Sequence, residues 1–417
     1  MRCAFIAVVA ALAAGGAWVD PVLSGVDVSA DAGTRLITAA YKLSEPGIVT
    51  FDVRTNGVSI GDHLLTSVFG DVNKLVGSGA HSLYWRPDAS TLGVDMSSAD
   101  VVLTAWSTSS PPDYMALNLL NWSVRYYTST NALPGGLDDI AYKTDVLLLR
   151  RIPAGGQTFT EGSPTSPAES YRVAAQETPR EVTFTSDYYI GVFEFTYAQF
   201  ARIGWKFKWS DHGAVNYSSR SENGDICPIN SISFNYMRGS TNGNQWPDVD
   251  SVDGDSVLGY LRSKSGIDFD LPTDAQWEFA CRAGTAGPHY NSTGTRVSWD
   301  IAGQIGWLYY PEANRRTAPQ EVGQKTPNAY GLYDMLGNVW ELVRGRPYAG
   351  TKPDAAVTNP KGPLIADGES GKVRRRGAAY STNDPTYIRS ASTHSIGQGN
   401  SDTVTGFRVM CPAEAVK

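Results

Sequence analysis

The chain has 417 residues, a formal net charge of −7 and 18% charged residues, with an isoelectric point near 5.3. That length exceeds one ordinary core, so two domains are expected, and the acidic balance argues against a nucleic-acid partner, which needs a basic face. The 42 Gly, 23 Pro, 11 Trp and 21 Tyr suit loop-rich β or α+β structure better than a helical bundle or disorder.

The opening "MRCAFIAVVAALAAGGAWVDP" reads as a signal peptide over residues 1–17. Arg2 supplies the positive end, residues 3–14 are apolar, and residues 15–17 are small enough for cleavage. The apolar run falls short of the ~20 residues that span a bilayer, and no later stretch qualifies as a transmembrane segment. The mature chain is therefore expected to be secreted or periplasmic, without Cys3. Residues 21–110 alternate apolar and polar in short runs such as "GIVTFDVRT", "HSLYWRP" and "ADVVLTAWS". This predicts a small all-β sandwich of immunoglobulin or fibronectin type, suited to spacing, docking or solubility. The proline-bearing "STSSPPDY" ends it, and residues 111–145 form a connecting segment of about one strand and a turn.

"TDVLLLRRIPAGG" enters a second domain, residues 146–417, as a buried strand. Three helices are marked by their ends. Thr196 and Gln199 form a capping box before "AQFARIG". "DSVLGYLRSKSG" has Asp255 as N-cap, Val257 and Leu261 on one face, and Gly266 as its stop. In "LPTDAQWEFACRAG", Thr273 caps, Gln276 completes the box, Trp277 and Cys281 share a face, and Gly284 ends the helix. The "RRR" run at Arg374, Arg375 and Arg376 reads as a strand edge or a local salt-bridge site. Of the mature cysteines Cys227, Cys281 and Cys411, the simplest outcome in an oxidising compartment is one disulfide and one free thiol. His63, His81, His212, His289 and His394 are scattered without zinc-like spacing.

"YDMLGNVWE" sets Asp334 and Glu341 seven positions apart, with Gly337 free to curl the backbone. Two readings stand. The acids cap backbone amides beside a core Trp340, or they close on a hard cation such as calcium, which takes six to eight oxygens from carboxylates, amides and carbonyls.

From "LLLRRIPAGG" onward the chain resembles the formylglycine-generating enzyme, or sulfatase-modifying factor, family. Six blocks carry the resemblance in order: "YIGVFEFTYAQF" (189–200), "PINSISF" (228–234), "FDLPTDAQWEFACRAGT" (269–285), "PNAYGLYDMLGNVWE" (327–341), "RRGAAY" (375–380) and "TGFRV" (405–409). The resemblance implies an irregular variant of the C-type lectin fold, α+β overall, with structural calcium. The ligands carried over are the side chains of Asp334 and Glu341 and the backbone of Gly337 and Val339. Glu312 and Asn314 fall at a second family calcium site. It also implies a terminal strand beside the 274–282 helix, hence a Cys281–Cys411 disulfide, with a bridge to Cys227 as the alternative.

Active members of that family oxidise a sulfatase cysteine to formylglycine, using oxygen and copper held by two cysteines. The corresponding positions here are Thr382 and about Tyr387, and no cysteine occurs between Cys281 and Cys411. Copper is therefore not expected, and no catalytic residue is assigned. After Glu341 the chain departs again, as "LVRGRPY" puts Arg344 and Arg346 into a pocket wall. The expectation is a pseudoenzyme: a calcium-stabilised, lectin-like binding or scaffold protein. Its ligand, a glycan, peptide or protein, would meet Arg376, Tyr380, Thr382, Asn383 and Arg389. The alternative is a formylglycine-generating oxidase whose Cys227 and Cys281 converge as a replacement copper pair. A hydrolase set built on "THS" and His394 is a chance triplet. A domain that assists a neighbouring secreted enzyme or coats a surface is a third reading.

Overall fold

A computed structural model describes residues 7–10, 20–31, 33–61, 67–87, 99–203, 224–292, 294–309 and 316–414. The chain divides into two units: Met1–Leu117 with Ser123–Tyr142 and Ala413–Lys417, and Asn118–Trp122 with Lys143–Pro412.

The first unit is all-β among the described residues up to its last short helix. Its strands are β1 (Ala7–Ala10), β2 (Leu23–Ala30), β3 (Ile37–Leu43), β4 (Gly47–Thr55), β5 (Val58–Ser59), β6 (Val68–Gly70), β7 (Leu75–Val76), β8 (Gly79–Trp85) and β9 (Ala99–Trp106). One sheet runs β1-β9-β4-β5, with β7 also on β4, and the other runs β2-β3-β8-β6. The period of two decides which side chains go inside. Ile37, Ala39, Tyr41 and Leu43 of β3 bury with Leu83 and Trp85 of β8 against Val49, Phe51 and Val53 of β4 and Val101 and Leu103 of β9. Asn56 and Gly57 take φ of 52° and 77°. They make the two-residue turn that pairs Thr55 with Val58. Residues 111–145 hold an antiparallel hairpin of β10 (Tyr114–Asn118) and β11 (Val124–Tyr127), followed by α1 (Ala141–Thr144). The segment thus has two strands where one was expected.

The second unit is α+β with short elements. It contains β12 (Val146–Ile152), β13 (Thr158–Glu161), β14 (Arg180–Thr183), β15 (Tyr188–Gly191), α2 (Tyr197–Ile203), α3 (Phe234–Arg238), α4 (Val257–Ser265), α5 (Asp274–Arg282) and α6 (Trp299–Ile305). Then come β16 (Trp340–Leu342), β17 (Val357–Thr358), β18 (Lys372–Arg376), β19 (His394–Gly397), β20 (Thr405–Gly406) and β21 (Met410–Pro412). β15 lies between β12 and β21, β14 between β13 and β17, and a third sheet runs β19-β18-β16-β20.

The helix ends follow local chemistry. At α2 the Gln199 amide N–H donates to Thr196 Oγ1, and the Thr196 N–H donates back to Gln199 Oε1, both at 3.1 Å. At α5, Thr273 and Gln276 close the same reciprocal box, and the chain leaves through Ala283 (φ 46°) and Gly284 (φ 91°). At α4 the cap is Ser256, whose Oγ accepts the Gly259 N–H at 3.0 Å. Asp255 lies one residue outside the helix, which corrects the expected cap. Gly266, at φ 69°, closes α4 as expected.

Trp277 and Cys281 present one buried face of α5 to Ile190, Leu332, Met335, Leu336 and Met410. Cys227, Cys281 and Cys411 are all buried and free. The expected Cys281–Cys411 bridge is not formed, because Cys281 Sγ instead faces Ser390 Oγ at 3.6 Å and Cys411 stands opposite Tyr189 on β15. Among the described residues no helix is long and apolar enough to cross a membrane.

Candidate functional site

The segment from Asp334 to Glu341 folds as a tight curl. Asp334, Gly337 and Asn338 have φ of 54°, 96° and 58°. Gly337 is required there: a Cβ would lie 2.5 Å from the Trp307 carbonyl oxygen. The Gly337 N–H donates to Gly377 O at 2.6 Å, and the Asn338 N–H to Trp307 O at 2.9 Å.

The curl delivers Glu341 to β16, where the side chain closes on a guanidinium. Arg408 donates from Nη2 to Glu341 Oε1 at 2.6 Å and from Nε to Oε2 at 2.7 Å, and Trp277 Nε1 donates to Oε2 at 2.6 Å. Arg408 spends its remaining donors on the carbonyls of Gly191 and Tyr333, both at 2.9 Å. This bidentate pair is fully inside the protein.

Asp334 is placed differently. Its Oδ2 accepts the Gly323 N–H at 2.8 Å, while the buried Oδ1 has no partner. Burial, with the charge of Glu341 adding to it, pushes its carboxyl up to about 6, against the pull of the Gly323 N–H and Arg408. A third acid joins these two. Glu194 accepts from Asn338 Nδ2 at 2.6 Å and from the Val339 N–H at 3.1 Å. Burial first, and then the charges of Asp334 and Glu341, hold it well above the usual carboxylate range. Sequence reading missed Glu194, although a lone acid inside the apolar run "IGVFEF" is a signal for a buried, partnered charge.

The expected calcium set of Asp334, Gly337, Val339 and Glu341 does not fit as a set. Both oxygens of Glu341 are committed to Arg408 and Trp277. Among the described residues, no three His, Cys, Asp or Glu side chains are grouped to hold a metal ion. What remains for a cation is the orphaned Oδ1 of Asp334. Glu312 and Asn314 lie outside the described residues.

The two family cysteine positions are filled by other chemistry. Thr382 is buried and closes a turn: its Oγ1 accepts the Ala379 N–H at 3.0 Å, and its N–H donates to Ala379 O at 2.8 Å. Tyr387 packs edge-on against Trp340 and His394, with centroids 5.6 and 5.3 Å away. Arg375 Nε meets His394 Nδ1 at 3.3 Å, and Nη1 pairs with Asp402 at 2.6 Å. Burial and the Arg375 charge lower the His394 pKa, and the Asp402 carboxylate goes to Arg375, so "THS" forms no hydrolase set. Burial pushes the thiols of Cys227 and Cys281 up to about 12 and that of Cys411 higher still. Cys227 sits beside Tyr197 and Cys281 beside Ser390.

The expected ligand set is also corrected in part. Arg376 is buried between Asp274 (2.6 Å) and Glu278 (3.0 Å), and Arg389 between Glu169 (2.8 Å) and Glu177 (2.6 Å). Both serve the interior. Tyr380 is buried and Asn383 exposed. Arg344 pairs with Asp270 at 3.1 Å, and Arg346 donates to Trp246 O at 2.8 Å and Asn244 O at 2.7 Å. Neither lines an open wall.

A family model, the sulfatase-modifying factor enzyme 1-like domain, matches residues 149–413. The chain belongs to this family. The fold of its sulfatase-modifying-factor domain is the irregular C-type-lectin-like, formylglycine-generating-enzyme type. Chaperone protein LppX of Paenibacillus barcinonensis is 28% identical over 174 residues, 37% of this chain and 61% of that protein. The formylglycine-generating enzyme of Mycobacterium tuberculosis is 29% identical over 166 residues, 35% of this chain and 51% of that enzyme. The mouse (Mus musculus) formylglycine-generating enzyme is 33% identical over 125 residues, 26% and 30% of the two chains. The chain thus spans less than two thirds of the length of these curated relatives. Among solved structures, PvdO from Pseudomonas aeruginosa is 20% identical with a TM-score of 0.46, covering 64% of this chain and 94% of its own.

Proposed function

We propose that this chain is an exported, non-catalytic member of the sulfatase-modifying-factor family that acts as a lectin-like binding or scaffold module. One observation supports the reading: the positions that the resemblance sets against the family's copper thiols, Thr382 and about Tyr387, hold a turn-closing hydroxyl and a packed aromatic ring. Oxygen ligands there cannot stand in for the soft sulfurs that grip monovalent copper, and the remaining thiols are buried and held protonated.

Export rests on the pattern of residues 1–17, and the β-sandwich supplies spacing or docking. The partner is a glycan, peptide or protein, and assisting a neighbouring secreted enzyme is the same reading with a different partner. Calcium belongs to the proposal as a structural ion held at Asp334. Glu341 is not among its ligands, since Arg408 does there what the ion was expected to do.

The test is to incubate the purified protein with copper, oxygen and a Cys-x-Pro-x-Arg peptide and to read the peptide by mass spectrometry. No formylglycine is expected at the peptide cysteine, whatever disulfide copper and oxygen form on their own. An aldehyde at that position overturns the reading in favour of the oxidase.

A further inference from the structure

A cleft of about 310 Å³ opens in the second unit, away from the Asp334–Glu341 curl. It is lined by Ser231, Ser233, Asn235, Tyr236, Ser240 and Asp255, and its far side by Ser256, Gly239, Gly399 and Ser401. Its volume sits at the low end of the roughly 300–1,000 Å³ found for small-ligand pockets.

Three features make it a built site. Ser231 adopts φ 60°, a conformation that L-residues rarely take and that clusters at functional sites. It is pinned there because its N–H donates to Asp402 O at 3.0 Å and its Oγ donates to Asn230 Oδ1 at 3.2 Å. Asn235 turns its amide Nδ2 toward Gly399, 3.5 Å from where a Cβ there would lie, and its backbone N–H is anchored on Gln398 O at 2.9 Å. The hydroxyls are also divided in their roles. Ser233 and Ser256 are spent as helix caps, whereas Ser240, Ser401 and the Asp255 carboxylate stand exposed at the rim.

The lining selects its occupant by elimination. Among the described residues no Lys or Arg lines the cleft and Asp255 is its one charge, so anions are disfavoured, and one carboxylate falls short of the six to eight oxygens a hard cation takes. Hydroxyls and amides dominate the wall, so an apolar guest would strand them unpaired. A neutral polyol offers alternating donors and acceptors to Ser, Asn and Asp. We propose that this cleft binds one uncharged hexose unit of a glycan, with Asp255 and Asn235 as the specificity-determining hydrogen-bonding groups. The inference deepens the binding role proposed above, on which its biological use rests.

Gly399 gives a clean probe. A Cβ there would meet only Asn235 Nδ2, at 3.5 Å, and its φ lies outside the left-handed region. Gly399→Leu therefore fills the cleft without straining the backbone. Binding of the methyl glycosides of glucose, galactose and mannose to the full chain is measured by titration calorimetry. At least one is expected to bind with a dissociation constant on the order of 1 mM, and methyl glucuronide not to bind. Gly399→Leu, with unchanged melting, is expected to weaken that binding at least about tenfold, and Asp255→Ala by about tenfold or more. Should the leucine variant fail to fold, the exposed Asp255→Ala decides alone. The inference is overturned if none of the three binds, if glucuronide binds equally, or if Asp255→Ala leaves affinity unchanged. Aldehyde formation in the peptide assay would overturn the non-catalytic reading without touching this cleft. Failed hexose binding would remove the cleft and leave that reading standing.

Discussion

The sandwich core, from Leu23 on β2 to Leu103 on β9, is assembled from aliphatic and aromatic side chains. The second unit also has an apolar core, but it additionally encloses Arg238, Arg374, Arg376, Arg389 and Arg408 almost completely. Each of those arginines meets a carboxylate: Arg238 with Asp270, Arg374 and Arg376 with Asp274, Arg389 with Glu169 and Glu177, and Arg408 with Glu341. A long-looped domain with few regular ladders has many backbone carbonyls to satisfy, and a buried guanidinium has five donors to give. Arg408 serves two carbonyls besides its carboxylate, and Arg282 serves Ala286, Gly287 and Gly162. Internal ion pairs here take over part of the work that sheet hydrogen bonds do in the sandwich. Such pairs add little net stability over apolar packing, yet breaking one leaves an uncompensated charge inside.

That contrast can be broken by experiment. The largest effect is expected for Arg408→Ala, which leaves the buried Glu341 carboxylate with Trp277 Nε1 as its one remaining side-chain donor among the described residues. It should cost about 3–5 kcal/mol in urea denaturation of the second unit. A loss under about 1 kcal/mol would mean that the pair behaves like a surface bridge. Leu103→Ala in the sandwich should cost about 2–5 kcal/mol through lost transfer energy and a cavity. It should shift only the sandwich transition in calorimetry. Equal shifts of both transitions would show that the two cores do not respond separately.

Asp334→Asn is expected to be the smallest change and to depend on conditions. The folded-state pKa of Asp334 is raised from 3.8 to about 6. Without a cation, the folded state then holds its proton more tightly than the unfolded chain, so stability falls as pH rises from about 4 to about 6. With chelator at pH 7, Asp334→Asn should therefore stabilise by up to about 3 kcal/mol, and the gain should vanish near pH 4. With calcium the sign should reverse, because wild type gains the ion and the variant does not. Calcium that leaves wild-type melting unchanged would remove the ion and leave a buried carboxyl titrating near 6 in its place.

The same contrast explains what was legible in the sequence. Alternation in "GIVTFDVRT" announces β4, and Thr273 with Gln276 announces α5, because each signal is local. Asp255 and Ser256 both qualify as caps, and the local pattern does not choose between them; in the structure the Ser256 hydroxyl accepts the Gly259 N–H. The partner of Glu341 lies 67 residues away at Arg408, beyond the reach of any periodicity. Of the two readings of the "RRR" run the salt-bridge site holds and the strand edge does not, since β18 lies between β19 and β16; Arg376 and Arg389, expected at a ligand surface because charge ordinarily marks surface, are buried. In this domain it also marks the interior.

The central claim is that no thiol pair in the native fold is available to soft metal. Its most direct measurement is a competition titration in which the native protein, reduced and anaerobic, is added to a coloured bis-chelator complex of Cu(I). The account predicts that the native chain withdraws no copper and that its thiols react only after denaturation. Withdrawal of one equivalent by the native chain, abolished by Cys281→Ser, would contradict it.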